Sequence, residues 1–135
     1  KVGKISEKRL MTCDPRIQEI MRLALLRTKV DFGIACGHRT LAEQQSAYAS
    51  GASEKDGIIK KSKHQGLPSK AADIYGWVNG KECYTTNTMC FLSGVICHAA
   101  MTLGYSVIWG GNWDDDGEIM TDQTFQDLVH FEVVG

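Results

Sequence analysis

A clear local pattern lies in residues 30–51, VDFGIACGHRTLAEQQSAYASG. Every second residue at its start is apolar: Val30, Phe32, Ile34 and Cys36. This period of two predicts a strand that ends at Gly37. Thr40 follows with Glu43 three residues later, a capping box that opens a helix closed by Gly51. The stretch therefore predicts a strand that leads directly into a helix.

Helices and strands alternate unevenly on both sides of this stretch. Asp14-Pro15 is a typical helix start, and apolar residues then recur at helical spacing to about residue 28. A second helical pattern covers residues 89–103 and stops at Gly104. Further short strands are predicted at 71–75, 105–109 and 129–134. Few strands separated by helices indicate an α+β fold, with helices packed on a mainly antiparallel sheet in one small domain over residues 1–135.

A polar segment without periodicity, residues 52–70, interrupts this pattern. It predicts a long loop, and long loops in compact domains are often functional. Five lysines lie in or beside it: Lys55, Lys60, Lys61, Lys63 and Lys70. They are candidates for attracting an anionic partner, with an ordinary solvated loop as the equal alternative.

Composition limits the classes of function. The chain is 43% hydrophobic and 23% charged with a net charge of -1, which is ordinary for a soluble globular protein and predicts no nucleic-acid partner. Its apolar runs are shorter than the ~20 residues that span a bilayer, and Lys1–Leu10 lacks the apolar centre of a signal peptide. We therefore expect no stable membrane insertion and a cytoplasmic location after synthesis. Five cysteines without a C-x-x-C pair are expected to be reduced and mostly in the core.

Histidines and carboxylates in polar places are the candidates for a catalytic zinc site, which needs three nitrogen or oxygen ligands and one open position. The chain has four histidines. His98 is expected to be a partly buried helix residue, and His38 is undecided. His64 in the polar loop is followed after nine positions by Asp73, and His130 is a lone polar residue in a strand. Sequence spacing alone does not bring these three together, and a solvated or hydrogen-bonded role remains the alternative for each.

Other polar residues could assist such a site. Asp127 precedes His130 by three positions, within reach of a general-base role. Arg39 could bind a carboxylate or a developing oxyanion, with a surface arginine as the alternative. Glu132 is a candidate partner of His130 or an alternative base.

An acidic run offers oxygen ligands of another kind. Asp114, Asp115 and Asp116 are of the type that calcium prefers, although they do not match the EF-hand pattern. A solvated acidic turn is the favoured alternative.

Three motifs, in this order, carry a resemblance to a known family: GHRT with EQ and Y…G at 37–51, SKH with AAD at 62–73, and WGGNW with DLVHFE at 109–132. They resemble the motifs of the L-alanyl-D-glutamate peptidases of bacteriophage endolysins, relatives of the D-alanyl-D-alanine carboxypeptidases and dipeptidases. The resemblance implies a small α+β zinc domain. Two departures stand out: the spacing from His64 to Asp73 is two residues longer than usual, with Ser69 in place of a glycine, and Asn112 replaces an aspartate.

The resemblance also implies roles. His64, Asp73 and His130 would hold one zinc ion, Asp127 would be the general base, and Arg39 and Ser62 would contact substrate. The implied reaction is hydrolysis of the L-alanyl-D-glutamate bond in peptidoglycan, which lyses the host.

The alternatives are a D-alanyl-D-alanine carboxypeptidase and a zinc-bearing binding domain that does not hydrolyse, like the signalling domain of Hedgehog proteins. We expect a monomer, made in the host cytoplasm and released by a partner holin to act on the wall in the periplasm.

Overall fold

The structure, a computed structural model, describes residues 2–119 and 126–135. The helices and strands of these residues are, in chain order, α1 Lys4–Leu10, α2 Pro15–Arg27, β1 Asp31–Cys36, α3 Leu41–Ala49, β2 Ala71–Val78, β3 Lys81–Cys83, α4 Thr86–Leu103, β4 Val107–Gly110 and β5 Asp127–Val133. One turn of 3-10 helix, Lys63–Gln65, lies in the long loop between α3 and β2. No helix in this part of the chain is long and apolar enough to cross a membrane.

The sheet is antiparallel at every pairing, with β2 at its centre. Its order is β1-β2-β5-β4, and β3 pairs with the far half of β2 through the Asn79-Gly80 turn. Both turn residues have positive φ, 54° and 74°, as a tight hairpin turn requires. The predicted α+β class with a mainly antiparallel sheet is confirmed.

Helices α2 and α4 pack on one another and supply one side of the core. The predicted first helix is confirmed at Pro15–Arg27, where the Asp14 side chain accepts a hydrogen bond from the Arg16 amide. The buried apolar residues of these helices meet those of the strands: Ile17, Ile20, Met21, Met89, Leu92 and Ile96 with Phe32, Ile34, Ile74, Phe131 and Val133. Because strand side chains alternate, the opposite face of the sheet is left for polar groups.

Helix α1 was not predicted from the sequence, and it buries only Ser6 and Leu10. Its role is to cover the edge of β1. The Ser6 hydroxyl accepts from the Ile34 amide at 2.9 Å, and Arg9 donates to the Ile34 carbonyl at 3.0 Å. These bonds satisfy backbone groups that an edge strand would otherwise expose.

Two cross-strand pairs set up the polar face. Asp73 on β2 lies directly opposite His130 on β5, and on its other side it pairs with Cys36 of β1. A register shift between Ile34 and Cys36 makes the second pairing possible. Directly opposed residues in antiparallel strands share a face with Cβ atoms about 4.5–5.5 Å apart. The register therefore brings Cys36, Asp73 and His130 into one row.

Two glycines of α4 test how backbone conformation stabilises this fold. Gly104 ends the helix with φ of 80°, whereas Gly94 lies in the helix interior, and a Cβ at either would meet no atom within 4 Å. Gly104→Ala should therefore destabilise the protein by about 1 kcal/mol, since alanine resists positive φ. Gly94→Ala should stabilise it by about 0.5–1 kcal/mol. Urea unfolding of both variants measures this, and shifts of the same sign would contradict the conformational explanation.

Candidate metal centre and its surroundings

Three side-chain atoms from three segments converge on one point of the polar face. His64 Nε2 lies 3.1 Å from Asp73 Oδ1 and 3.2 Å from His130 Nδ1, and His130 Nδ1 lies 3.2 Å from the same carboxylate oxygen. His64 and His130 are buried, at 2% and 6% exposure. The structure thus brings together all three residues that the sequence offered as metal ligands.

Hydrogen bonds fix which nitrogen of each imidazole faces the centre. His64 Nδ1–H donates to the Gly37 carbonyl at 2.7 Å, because a carbonyl can only accept. His130 Nε2–H donates to the Glu132 carboxylate at 2.8 Å. In the neutral rings the other nitrogens, His64 Nε2 and His130 Nδ1, therefore point their lone pairs at the Asp73 oxygen.

Three electron-rich atoms at this separation repel each other unless a cation or protons lie between them. Burial disfavours the charged forms, yet the mutual hydrogen bonds outweigh it, so that the pKa of His64 is raised and the pKa of Asp73 is lowered. Four ligands placed tetrahedrally at the ~2.0–2.1 Å typical of zinc lie about 3.3 Å from one another. The donor set and its spacing fit a zinc ion.

The loop before β2 holds His64 against the turn between β1 and α3. The His64 carbonyl accepts from the Arg39 amide at 2.7 Å, while its ring bonds the Gly37 carbonyl. Ser62 caps the 3-10 turn, since its hydroxyl accepts from the His64 amide at 3.1 Å. His64 is therefore held from both its backbone and its ring.

Two further carboxylates, Asp127 and Glu132, lie close to His130. Asp127 Oδ2 is 4.0 Å from His130 Nδ1, and its side chain is 25% exposed, which makes it more accessible than Asp73 at 14%. Burial and the negative charge of Asp73 raise the pKa of Asp127 to about 6. Glu132 instead orients the outer nitrogen of His130. Asp127 is therefore the carboxylate placed toward the open side of the centre.

Arg39 is not the surface arginine that the sequence left as the alternative, since its side chain is only 15% exposed. Its Nη2 donates to Asp73 Oδ2 at 3.4 Å, and its Nη1 donates to Gln44 Oε1 at 2.7 Å. Gln44 is fully buried and its amide donates to Ser53 Oγ and to the Lys55 carbonyl. Arg39 thus holds the second oxygen of the Asp73 carboxylate, and Gln44 fixes Arg39. No role was predicted for Gln44, although it belongs to the EQ motif.

Cys36 is the site residue that sequence reasoning missed. Potential ligand atoms within the described residues form two groups that share Asp73: Cys36 with His64, and Asp127 with His130. The Cys36 sulfur lies 3.8 Å from His64 Nδ1, the nitrogen already bonded to Gly37, and 3.7 Å from Arg39 Nη2. It therefore lies behind the His64 ring. Its pairing with Asp73 depends on the register shift in β1, which no periodicity reveals.

The tryptophans of the WGGNW motif lie beside the strand that carries His130. The Trp113 ring lies 5.3 Å from the His130 ring, and the Trp109 indole donates to the Leu128 carbonyl at 2.8 Å. A Cβ at Gly110 would collide with the Asp127 carbonyl, so this position requires glycine. The motif thereby places the chain that carries Asp127.

The remaining candidates lie outside the centre. His38 bonds the Gly66 carbonyl at 2.9 Å. His98 is exposed on α4 rather than partly buried as expected. The acidic run forms a turn in which Asn112 and Asp116 bond each other, and no metal-donor group among residues 2–119 and 126–135 includes it. Calcium binding by Asp114, Asp115 and Asp116 stays a prediction.

Comparison with known proteins gives a family. The model of the family described as phage L-alanyl-D-glutamate peptidase matches residues 1–134. The chain belongs to this peptidase family. It is 33% identical to the L-alanyl-D-glutamate peptidase of Escherichia phage T5 over 120 residues, which are 87% of this chain and 85% of that protein. The L-Ala D-Glu endopeptidase ChiX of Serratia marcescens has a similar structure, with a TM-score of 0.78, 26% identity, and coverage of 96% of this chain and 86% of its own. The resemblance read from the motifs is confirmed.

The longer loop of this phage peptidase does not disturb the centre. Gly66, Leu67 and Pro68 are exposed, so the extra length is on the outside. Ser69 is fully buried, where its amide donates to the Thr12 carbonyl and its carbonyl accepts from the Asp14 amide, both at 2.8 Å. The chain therefore enters β2 from a fixed position, and Asp73 keeps its register.

The raised pKa of Asp127 predicts a stability cost in the metal-free peptidase. Its folded pKa of about 6 exceeds the unfolded value of about 3.9, so folding holds the proton and stability falls as the pH rises between these values. Asp127→Asn removes the buried charge and should stabilise the metal-free protein by about 1–2 kcal/mol at pH 7.5, with no gain below pH 4. Denaturant unfolding with a chelator present, at both pH values, measures the difference.

The matched control is Asp31→Asn, which changes an exposed carboxylate at the start of β1. It should show no comparable gain at pH 7.5. A stabilisation by Asp127→Asn that persists unchanged at pH 3.5 would show that burial of the Asp127 charge is not the cause.

Proposed function

We propose that this chain is a zinc-dependent peptidase that hydrolyses the L-alanyl-D-glutamate bond of peptidoglycan stem peptides. The observation that carries the proposal is the convergence of His64, Asp73 and His130 at 3.1–3.2 Å, with Asp127 beside them. Family membership and the names of both relatives support the bond that is cut.

The zinc ligands in this proposal are His64 Nε2, Asp73 Oδ1 and His130 Nδ1. A zinc ion held there supplies a Lewis acid, which polarises a carbonyl and lowers the pKa of bound water toward about 7. Glu132 and the Gly37 carbonyl keep the two imidazoles in the tautomers that leave these nitrogens free. Arg39 keeps the Asp73 carboxylate in place through its other oxygen.

Asp127 is the general base in this proposal. Its carboxylate takes a proton from the attacking water and returns it to the amine of D-glutamate as the peptide bond breaks. A general base works best when its pKa is near the working pH. Partial burial raises the pKa of Asp127 toward that value.

Arg39 and Ser62 are proposed to contact the substrate. The guanidinium has five N–H donors, and its Nη1 and Nη2 already bond Gln44 and Asp73. The donors left over are those that we assign to a substrate carboxylate or to the developing oxyanion. The Ser62 hydroxyl caps the His64 turn, so its substrate role rests on the family resemblance alone.

The route to the wall is also proposed from the resemblance. In this proposal residues 1–135 form one catalytic domain that acts as a monomer, is made in the host cytoplasm, and reaches the periplasmic wall through a partner holin.

Mass spectrometry of purified peptidoglycan digested with zinc present tests the reaction. We expect new amino-terminal D-glutamate and stems that end in L-alanine. Asp127→Asn should lower turnover by about 10²–10⁴ while the bound zinc measured by metal analysis stays at one per chain. A chelator should abolish activity, and added zinc should restore it.

Three results would contradict the proposal in different ways. Release of free D-alanine would identify a carboxypeptidase. An unchanged wall with zinc bound would favour the non-hydrolytic domain. Normal turnover by Asp127→Asn would exclude this base, provided that the control Asp31→Asn is also unchanged.

A further inference from the structure

The long loop exposes two aliphatic side chains, Ile58 and Ile59, six and five residues before His64 in the sequence. We name residues 55–63 the isoleucine tip. Ile58 is 61% exposed and Ile59 is 87% exposed. Adjacent exposed isoleucines are unusual on a protein surface unless a partner covers them, because burying each side chain would lower the free energy.

Hydrogen bonds hold the tip in this outward shape. Asp56 Oδ1 accepts from the amides of Ile58, Ile59 and Lys60, each at 3.0 Å. Gln65 donates to the Gly57 carbonyl at 3.0 Å, and Gln44 donates to the Lys55 carbonyl at 2.7 Å. The isoleucines are therefore presented on a turn that is tied to the body of the protein at two points.

Four lysines surround the two isoleucines: Lys55, Lys60, Lys61 and Lys63. All four side chains are exposed. Among the residues that the structure describes, none of them forms a salt bridge with a carboxylate. Asp56 is the one acidic residue of the tip, so the four lysines leave residues 55–63 with a net charge of +3, whereas the whole chain has a net charge of -1. The tip is therefore cationic and carries two exposed apolar side chains.

We propose that the isoleucine tip docks on a bilayer surface that carries anionic lipid headgroups. The lysines match the negative charge of such a surface, and each basic residue close to it strengthens binding about fivefold. The isoleucines match the boundary between headgroups and acyl chains, where short apolar side chains insert. A tip already fixed in its outward shape loses little conformational freedom on docking.

A lipid surface accounts for both features of the tip, and the wall polymer accounts for only one. Peptidoglycan is anionic and would attract the lysines, but it presents hydroxyl, amide and carboxylate groups that need polar partners. Ile58 and Ile59 offer none. The inference does not depend on the proposed hydrolysis, because docking is measured without any bond being cut.

Docking would orient the metal centre. His64 directly follows Lys63, and the 3-10 turn that carries it continues from the tip. A tip docked on a bilayer would therefore hold the segment that carries His64 at that surface, where it could reach wall that lies close to a membrane.

Co-sedimentation with vesicles tests the docking. The wild-type protein should bind vesicles of phosphatidylglycerol and phosphatidylethanolamine at least tenfold more strongly than vesicles of phosphatidylcholine. Ile58→Ser with Ile59→Ser should lower the partition coefficient at least tenfold. Lys60→Ala with Lys61→Ala should lower it about 10- to 30-fold at low salt, and less at high salt.

The matched control is Leu26→Ser, which removes an aliphatic side chain that is 82% exposed on α2. It should leave vesicle binding unchanged, and thermal unfolding should show that every variant is folded. Equal binding to anionic and neutral vesicles, or normal binding by the isoleucine variant, would overturn the proposal. So would a finding that the tip variants lose binding to purified peptidoglycan, measured in an Asp127→Asn background, while vesicle binding is unaffected.

Discussion

Asp73 Oδ1 lies within 3.2 Å of two imidazole nitrogens, and most of the surrounding structure serves to keep three electron-rich atoms at that separation. Such an arrangement is unfavourable unless positive charge occupies its centre. In the metal-free protein protons can supply that charge, which is why the pKa of His64 is raised although burial opposes it. A divalent cation can replace those protons, so the repulsion among these three atoms favours metal binding.

The scaffold resists this repulsion from several directions. The antiparallel register fixes Asp73 opposite His130, and the core residues on the other face hold that register because a shift by one residue would invert both strands. His64 comes from a loop, which alone would be too mobile. Its bonds to the turn between β1 and α3, and the buried Ser69 that follows, give it a fixed position. Arg39 and Gln44 then hold the remaining carboxylate oxygen.

Local sequence signals predicted most of the fold. The capping box at Thr40, the Asp14-Pro15 start and the stop at Gly104 are short-range features, and each lies where the structure has a helix end. Helix α1 was not predicted because it buries only two residues, which are too few to give a periodic apolar pattern. The site could not be predicted from such local signals. Periodicity placed His64, Asp73 and His130 in separate segments, and only the order of the family motifs indicated that they form one site. Cys36 and Gln44 could not be found this way, since one depends on a register shift and the other on a side-chain network.

The proposed function depends on the binding of one zinc ion by His64, Asp73 and His130. Anomalous X-ray diffraction at the zinc edge, from crystals of the zinc-loaded protein, tests it most directly. We expect a single strong peak about 2.0–2.2 Å from His64 Nε2, Asp73 Oδ1 and His130 Nδ1. A peak bonded to the Cys36 sulfur in place of His130, or a centre without metal in crystals that bind zinc elsewhere, would contradict it.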